Sequence, residues 1–247
     1  MTEIIEIFRK EADRCAEEIK KHRSVHVVSH IDADGLTSAG IICTALERGN
    51  FEYTTSFVKQ LDENALDTIA DENHELVIFT DLGSGMCEHI KSRGINAVIS
   101  DHHQPQGTLE FHLNPHLFGA NGSYELSGSG STYLLASALG KNRDLSSLAI
   151  VGAIGDMQHL KMGQLTGINR KILEEGVKGG DLEFKKDLTL FGKQTRPIYK
   201  LLQYSSDPYL PGLTGDEEAC INFIHSLNVR FSQDERWRRW IDLEISE

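Results

Sequence analysis

Apolar positions near the N-terminus fall at Ile4, Ile5, Phe8, Ala12, Ala16 and Ile19. This spacing is close to i, i+4 and predicts an amphipathic helix over residues 2–22. Beyond it the pattern changes. SVHVVSH (24–30), FEYTTSFV (51–58), ELVIFT (75–80) and INAVIS (95–100) are short, β-branched or continuously apolar runs and predict strands. Helical patterns separate them: LTSAGIICTALERGN closed by Gly49 and Asn50, the acidic DENALDTIADEN, and GSGMCEHIKSRG with a glycine stop. Strand alternating with helix, with the strands apolar on both sides, predicts an α/β fold with a parallel β-sheet flanked by helices.

After Pro105 the rhythm breaks. Residues 106–129 are rich in Gly, Asn and Pro, with a short strand-like LEFHL, and read as a long functional loop. SGSGSTYLLASALG and LSSLAIVGAIGDM then predict two helices. Residues 164–230 look mainly helical, interrupted by KGG and DPYLPGLTG. The ending DERWRRWIDLEISE places two tryptophans on a charged tail, which predicts packing against something that follows.

Composition adds limits. The 247 residues are 39% hydrophobic and 25% charged, as expected of a globular protein. No apolar run approaches the roughly 20 residues that span a bilayer, and the N-terminus lacks the apolar core of a secretory signal. Cys15, Cys43, Cys87 and Cys220 are scattered without a CxxC pair and read as reduced thiols of a cytoplasmic protein. The net charge of −12 argues against a protein that mainly coats nucleic acid. It leaves a nuclease open, since carboxylates gathered around divalent cations reverse the local field.

The candidate chemistry sits where strands end, as ligands do in open parallel sheets. In HIDADG, His30, Asp32 and Asp34 alternate and would share one face of an extended segment. A single Asp there would read as a helix cap, with Asp34 placed to cap Thr37; two Asp and a His at period two do not. FTDLGSG ends an apolar strand on Asp81, and SDHH ends another on Asp101, His102 and His103. GAIGDMQ ends an apolar helix on Asp156, where an acid opposes the helix dipole and needs a compensating partner. Carboxylates and imidazoles without a thiolate suit Mn²⁺ or Mg²⁺. Their number exceeds one ion's needs and fits two metals about 3.5–4 Å apart, with a bridging carboxylate and a metal-activated water for phosphate ester hydrolysis. His22, His26, His74, His89, His112, His116 and His159 lack this context; His112 and His116 follow the triplet closely enough to be further candidates.

HIDADG, FTD, SDHH and GD, in this order over roughly residues 25–160, resemble the four motifs of the DHH phosphoesterase superfamily, named for the triplet found here as Asp101-His102-His103. The wording SHIDADGLTSAG and the later DPYLPGLTG are similar to the archaeal RecJ-like branch of single-strand exonucleases, some of them associated with the replicative GINS complex. The resemblance implies one metal held by Asp32 and Asp81 with His30, and a second held by Asp34, Asp81, His102 and Asp156, with Asp81 as the bridge. It implies that His103 sits at the scissile phosphate and that Asp101 orients the imidazoles. The amides of Ser129, Gly130 and Ser131 open a helix near the site and are candidates for holding a phosphate; a flexible helix start is the plain alternative.

Two departures from the family pattern stand out. The histidine many members carry four residues before the first motif Asp is replaced by Val28, leaving His30 in its stead. No glycine-rich DHHA1-like motif is found. The expected organisation is therefore a catalytic α/β core over 1–160, and a mainly helical extension over 161–247 that begins a linker toward a missing DHHA1-like domain. The expected function is an Mn²⁺- or Mg²⁺-dependent exonuclease on single-stranded DNA or RNA. The alternatives are a phosphoesterase for small substrates (nanoRNA, cyclic dinucleotides, 3′-phosphoadenosine phosphate or pyrophosphate) and a non-catalytic replication scaffold.

Overall fold

The computed structural model describes residues 2–185, 187–188, 190–229, 232–233 and 236–243. They form two compact units, 1–184 and 185–247. In the first, the elements run α1 (Thr2–Ile19), β1 (Ser24–His30), α2 (Ala33–Arg48), β2 (Glu52–Val58), α3 (Glu63–Asp71), β3 (Val77–Thr80), α4 (Cys87–Ser92), β4 (Ala97–Ser100), β5 (Phe111–Leu113), α5 (Gly128–Leu139), α6 (Ser146–Gly155) and α7 (Gly167–Gly179). The five strands make one sheet of order β2-β1-β3-β4-β5, parallel throughout.

The apolar strands are buried on both faces because alternate residues serve different cores. Val25, Val27, Ile78 and Val98 pack with residues of α1, α2, α5 and α6. Val28, Val77, Phe79 and Ile99 pack with Leu66 and Ile69 of α3 and Ile90 of α4. Edge strand β2 is mostly exposed or half-buried. Helix α5 is buried on nearly every side from Gly128 to Ala136, which is why it carries small and apolar residues rather than an amphipathic stripe.

Three expectations change. The long loop after Pro105 contributes the fifth strand, since LEFHL extends the sheet beside β4. The helix expected at 83–94 begins as a short 3₁₀ turn at Ser84–Met86, because the Ser84 amide turns inward to Asp101. The boundary expected after residue 160 falls inside the first unit: Ile168, Ile172 and Leu173 of α7 belong to its main core.

The second unit holds α8 (Ile198–Gln203), α9 (Glu217–Ser226) and an antiparallel pair, β6 (Ser232–Gln233) with β7 (Arg236–Trp237). Its small core is Ile198, Tyr199, Cys220 and Ile224. The two tryptophans find partners inside this unit. Trp237 packs on the Tyr199 ring at 4.7 Å, and the Trp240 indole donates to Asp187. All four cysteines are free. Among the described residues no helix is long and apolar enough to cross a membrane.

Candidate metal centre

The sheet order sets β1, β3 and β4 side by side, so their carboxyl ends deliver His30, Asp81 and the 101–103 triplet to one place. The start of α2 supplies Asp32 and Asp34, and the residue after α6 supplies Asp156. All six expected metal ligands are thereby gathered in the first unit.

His30, Asp32 and Asp81 form one group and Asp34, His102 and Asp156 a second; Asp81 and His102 also lie together with Asp101 and His103. In the first, His30 Nδ1 is 2.8 Å from Asp32 and 3.8 Å from Asp81. Its Nε2 reaches the Lys59 carbonyl at 3.1 Å, and a proton donated there leaves Nδ1 a free lone pair in the neutral ring. In the second, His102 Nδ1 meets the Gly122 carbonyl at 2.7 Å, so in the neutral ring the lone pair lies on Nε2. That nitrogen is 3.2 Å from Asp81 and 3.6 Å from Asp34. Asp81 therefore stands between the groups.

Asp81 is the most constrained of these residues. It is buried, and its backbone is left-handed at φ 59°, a conformation that disfavours most side chains but that Asp tolerates. Neither carboxylate oxygen finds a hydrogen bond among the described residues, because His102 approaches outside hydrogen-bond alignment. Burial pushes its pKa well above the usual carboxylate value, with His102 opposing. A buried carboxylate without donors needs a proton or a cation.

Asp34 is also buried, and burial again raises its pKa against His102 and the Ser129 amide. It accepts from the amides of Gly128 and Ser129 at 2.7 and 3.0 Å. The expectation that Ser129, Gly130 and Ser131 hold a phosphate is corrected by these bonds. The Ser129 amide serves Asp34, the Gly130 amide donates to Ser127 Oγ, and the Ser131 amide donates to the Ser127 carbonyl. All three residues are buried. The helix N-terminus holds a carboxylate of the chain itself instead of an external anion. Two glycines make the fit possible: a Cβ on Gly128 would collide with Asp81, and one on Gly152 with Asp34, Ser129 and Thr37. The helix cap falls on Asp32, which accepts from the Gly35 amide, and not on Asp34.

Asp101 takes a different part from its neighbours. It is fully buried and accepts from the amides of His102 and His103, from His103 Nδ1 at 2.8 Å, and from the Ser84 amide at 2.9 Å. These donors outweigh burial and hold its pKa below the carboxylate range. The bond to Asp101 in turn raises the pKa of His103, whose side chain is more than half exposed. Burial works against a cationic His102, but Asp81 and Asp34 prevail and raise its pKa to about 10.

His112 turns inward to Ser84 and is not a ligand; burial lowers its pKa to about 4. Residues that the sequence did not single out are Gln158 and Asn169, buried amides beside the second group, and Gly122, whose carbonyl receives His102. Neutral amides in ordinary surroundings carry no motif signal. A separate cluster of His26, Glu72 and His74 lies elsewhere. Its imidazoles stack at 4.1 Å with planes 2° apart, so their in-plane lone pairs run parallel and do not converge on an ion.

The donor set fits divalent ions: oxygen and nitrogen ligands, two orphaned oxygens on Asp81, and lone pairs of two tautomer-fixed imidazoles facing carboxylates.

The model of the DHH family, N-terminal domain, matches residues 24–155, and that of the DHH-CID domain matches residues 190–247. An uncharacterized protein of Methanocaldococcus jannaschii is 36% identical over 239 residues, covering 93% of this chain and 54% of the relative. The single-stranded-DNA-specific exonuclease RecJ of Bacillus subtilis is 28% identical over 202 residues, covering 71% of this chain and 26% of the relative. The chain thus spans about half, or less, of the length of these curated relatives. Among solved structures, exonuclease RecJ bound to manganese superposes with a TM-score of 0.55 at 20% identity, covering 86% of this chain and 54% of that one. CDC45 from Entamoeba histolytica gives a TM-score of 0.62 at 14% identity, covering 99% and 54%. With more than half of its residues matched by the family model, and all four motifs brought to one end of the sheet, the chain belongs to the DHH family.

Proposed function

We propose that this chain carries the catalytic site of a two-metal phosphodiesterase acting on single-stranded DNA or RNA. The observation that carries the reading is the Asp81 carboxylate: buried, without a hydrogen bond among the described residues, and set between His30 and Asp32 on one side and Asp34, His102 and Asp156 on the other. His30, Asp32 and Asp81 would hold one divalent ion; Asp34, Asp81, His102 and Asp156 would hold the other. Imidazole in both groups favours Mn²⁺ over Mg²⁺. Ions bound there would supply a coordinated water of lowered pKa and would offset the negative charge of a phosphate ester.

The chain's own residues do the rest. Asp101 accepts a hydrogen bond from His103 Nδ1–H, which leaves Nε2 of that ring available to a substrate. With its pKa raised by Asp101, His103 is available as an imidazolium that donates to a phosphate oxygen or protonates the leaving oxygen. The Gly122 and Lys59 carbonyls keep His102 and His30 in the tautomers that present lone pairs inward.

Preference for single strands is supported by the sequence relationship to a single-stranded-DNA-specific exonuclease. Labelled single-stranded DNA and RNA incubated with Mn²⁺ test it. Shortened products that vanish with EDTA and in Asp81→Asn are expected; their absence from the longest natural chain would overturn it. The CDC45 likeness favours a second reading, a scaffold that keeps the fold without the chemistry. Metal content separates the two: two Mn²⁺ per chain supports the enzyme, and none supports the scaffold.

A further inference from the structure

We propose that Gln158, held by Asn169, is a positioning residue that fixes both His102 and Asp156 for their ion. Gln158 and Asn169 are fully buried polar side chains with neither charge nor reactivity, so their contacts are their purpose. The inference rests on the metal reading given above.

The chain of hydrogen bonds has only one possible polarity. It begins at a backbone donor, the Ser127 amide, which meets Asn169 Oδ1 at 3.3 Å. That fixes the Asn169 amide, whose Nδ2 donates to Gln158 Oε1 at 2.6 Å. Gln158 Nε2 must then face the other way, where it donates to the Gly122 carbonyl at 2.7 Å and to Asp156 Oδ2 at 2.9 Å. The chain ends on a backbone acceptor. Backbone groups at both ends remove the flip ambiguity that side-chain amides otherwise carry.

Two consequences follow for the ligands. The Gly122 carbonyl also receives His102 Nδ1, and Gln158 pins that carbonyl in place. Asp156 Oδ2 lies 3.8 Å from His102 Nδ1, close enough to compete for the ring proton if the Gln158 amide did not occupy it. Gln158 thus keeps His102 Nε2 aimed at Asp34 and Asp81 and leaves Asp156 Oδ1 for the ion. Met157, at φ 55°, provides the reversal that brings Gln158 back under Asp156. Asn169 belongs to α7, beyond the stretch matched by the DHH-family model, so a helix outside that stretch holds the metal loop.

The test is Mn²⁺ titration of the full chain by calorimetry and by electron paramagnetic resonance. Gln158→Met keeps the length of the side chain and removes its hydrogen bonds. Wild type is expected to bind two ions. Gln158→Met is expected to weaken one of them about 10–100-fold, the usual effect of removing a group that orients a ligand, and to leave the other unchanged. Asn169→Ala, farther from the ions, is expected to give the same selective loss, and the double variant no more than either alone. It also serves as the test should Gln158→Met not fold. Two ions bound with wild-type affinity in the variants, or both weakened together, overturns the positioning role. A wild type that binds no ion overturns the metal reading instead.

Discussion

The two halves of the metal centre are built on different physics. His30 and Asp32 lie toward solvent; Asp32 is about half exposed and also caps α2. Asp34 and His102 are buried, and they are held by backbone amides of α5 and by the Gly122 carbonyl. The outer half is shaped by local chain geometry, because a β-strand end and a helix cap bring its residues together over three positions. The inner half requires five separate segments. Burial there makes each carboxylate demanding: Asp34 relies on the Gly128 and Ser129 amides, and Asp81 has no donor among the described residues. Such a site sacrifices stability for affinity.

Removing the shared residue tests the comparison most severely. Asp81→Asn keeps the shape and tolerates the left-handed backbone, so the fold is expected to survive. Hydrolysis is expected to fall by about 10³-fold or more, as both ions lose a ligand. The metal-free protein is expected to melt no lower than wild type, since a buried carboxylate without donors is lost. A variant with normal turnover would show that the halves do not share Asp81.

Gly152→Ala strikes the inner half alone. Its methyl group would collide with Asp34, Ser129 and Thr37. Mn²⁺ affinity at one site is expected to fall about 100-fold, with roughly 1–3 kcal/mol of stability lost to overpacking. Retention of both ions by calorimetry would show that Asp34 is not the ligand.

Asp32→Ala strikes the outer half. Loss of the cap is expected to cost about 1 kcal/mol in denaturant unfolding. One Mn²⁺ is expected to weaken by about tenfold while the buried site holds. Equal weakening of both sites would erase the distinction between the halves.

A change of one pH unit, comparable to the Asp32 effect, tests the inner half through its protons. Asp81 and Asp34 raise the pKa of His102 to about 10 and so favour its protonated form, whereas a ligand nitrogen must be unprotonated. Binding at the inner half therefore releases a proton, and its affinity should rise about tenfold per pH unit between pH 6 and 8. Calorimetry in buffers of different ionisation enthalpy reads this directly. An inner-site affinity flat across that range would contradict it.

The parallel sheet was legible because its strands are apolar on both sides, as Val27, Val28, Ile78 and Phe79 illustrate. The six candidate ligands stood out in the sequence because acids and histidines at strand ends have few structural uses, and the fold gathers them at one end of the sheet. The Gly/Ser run at the start of α5 was misread: the pattern marks a helix N-terminus that accepts an anion, but not whether the anion is a phosphate or Asp34. The fifth strand showed only as the strand-like LEFHL, because the polar loop around it hid its pairing with β4. The separate unit at 185–247 was read as an extension because its core of Ile198, Tyr199, Cys220 and Ile224 is small and drawn from distant positions.

By itself, the sequence determined which chemistry is available. Residue identity sets the ligand atoms, and the alternation of apolar strands with helices sets the end of the sheet at which they emerge. Even the split between His102 and His103 follows from adjacency, since neighbouring side chains leave the backbone in different directions. Tertiary structure alone decided the rest. It placed β1 beside β3 and β3 beside β4, left Asp81 without donors, assigned the α5 amides to Asp34, and buried the pair Gln158 and Asn169 against the ligands. These depend on contacts between residues far apart in the chain, where a hydrogen bond is set by three-dimensional approach and leaves no periodic trace in the sequence.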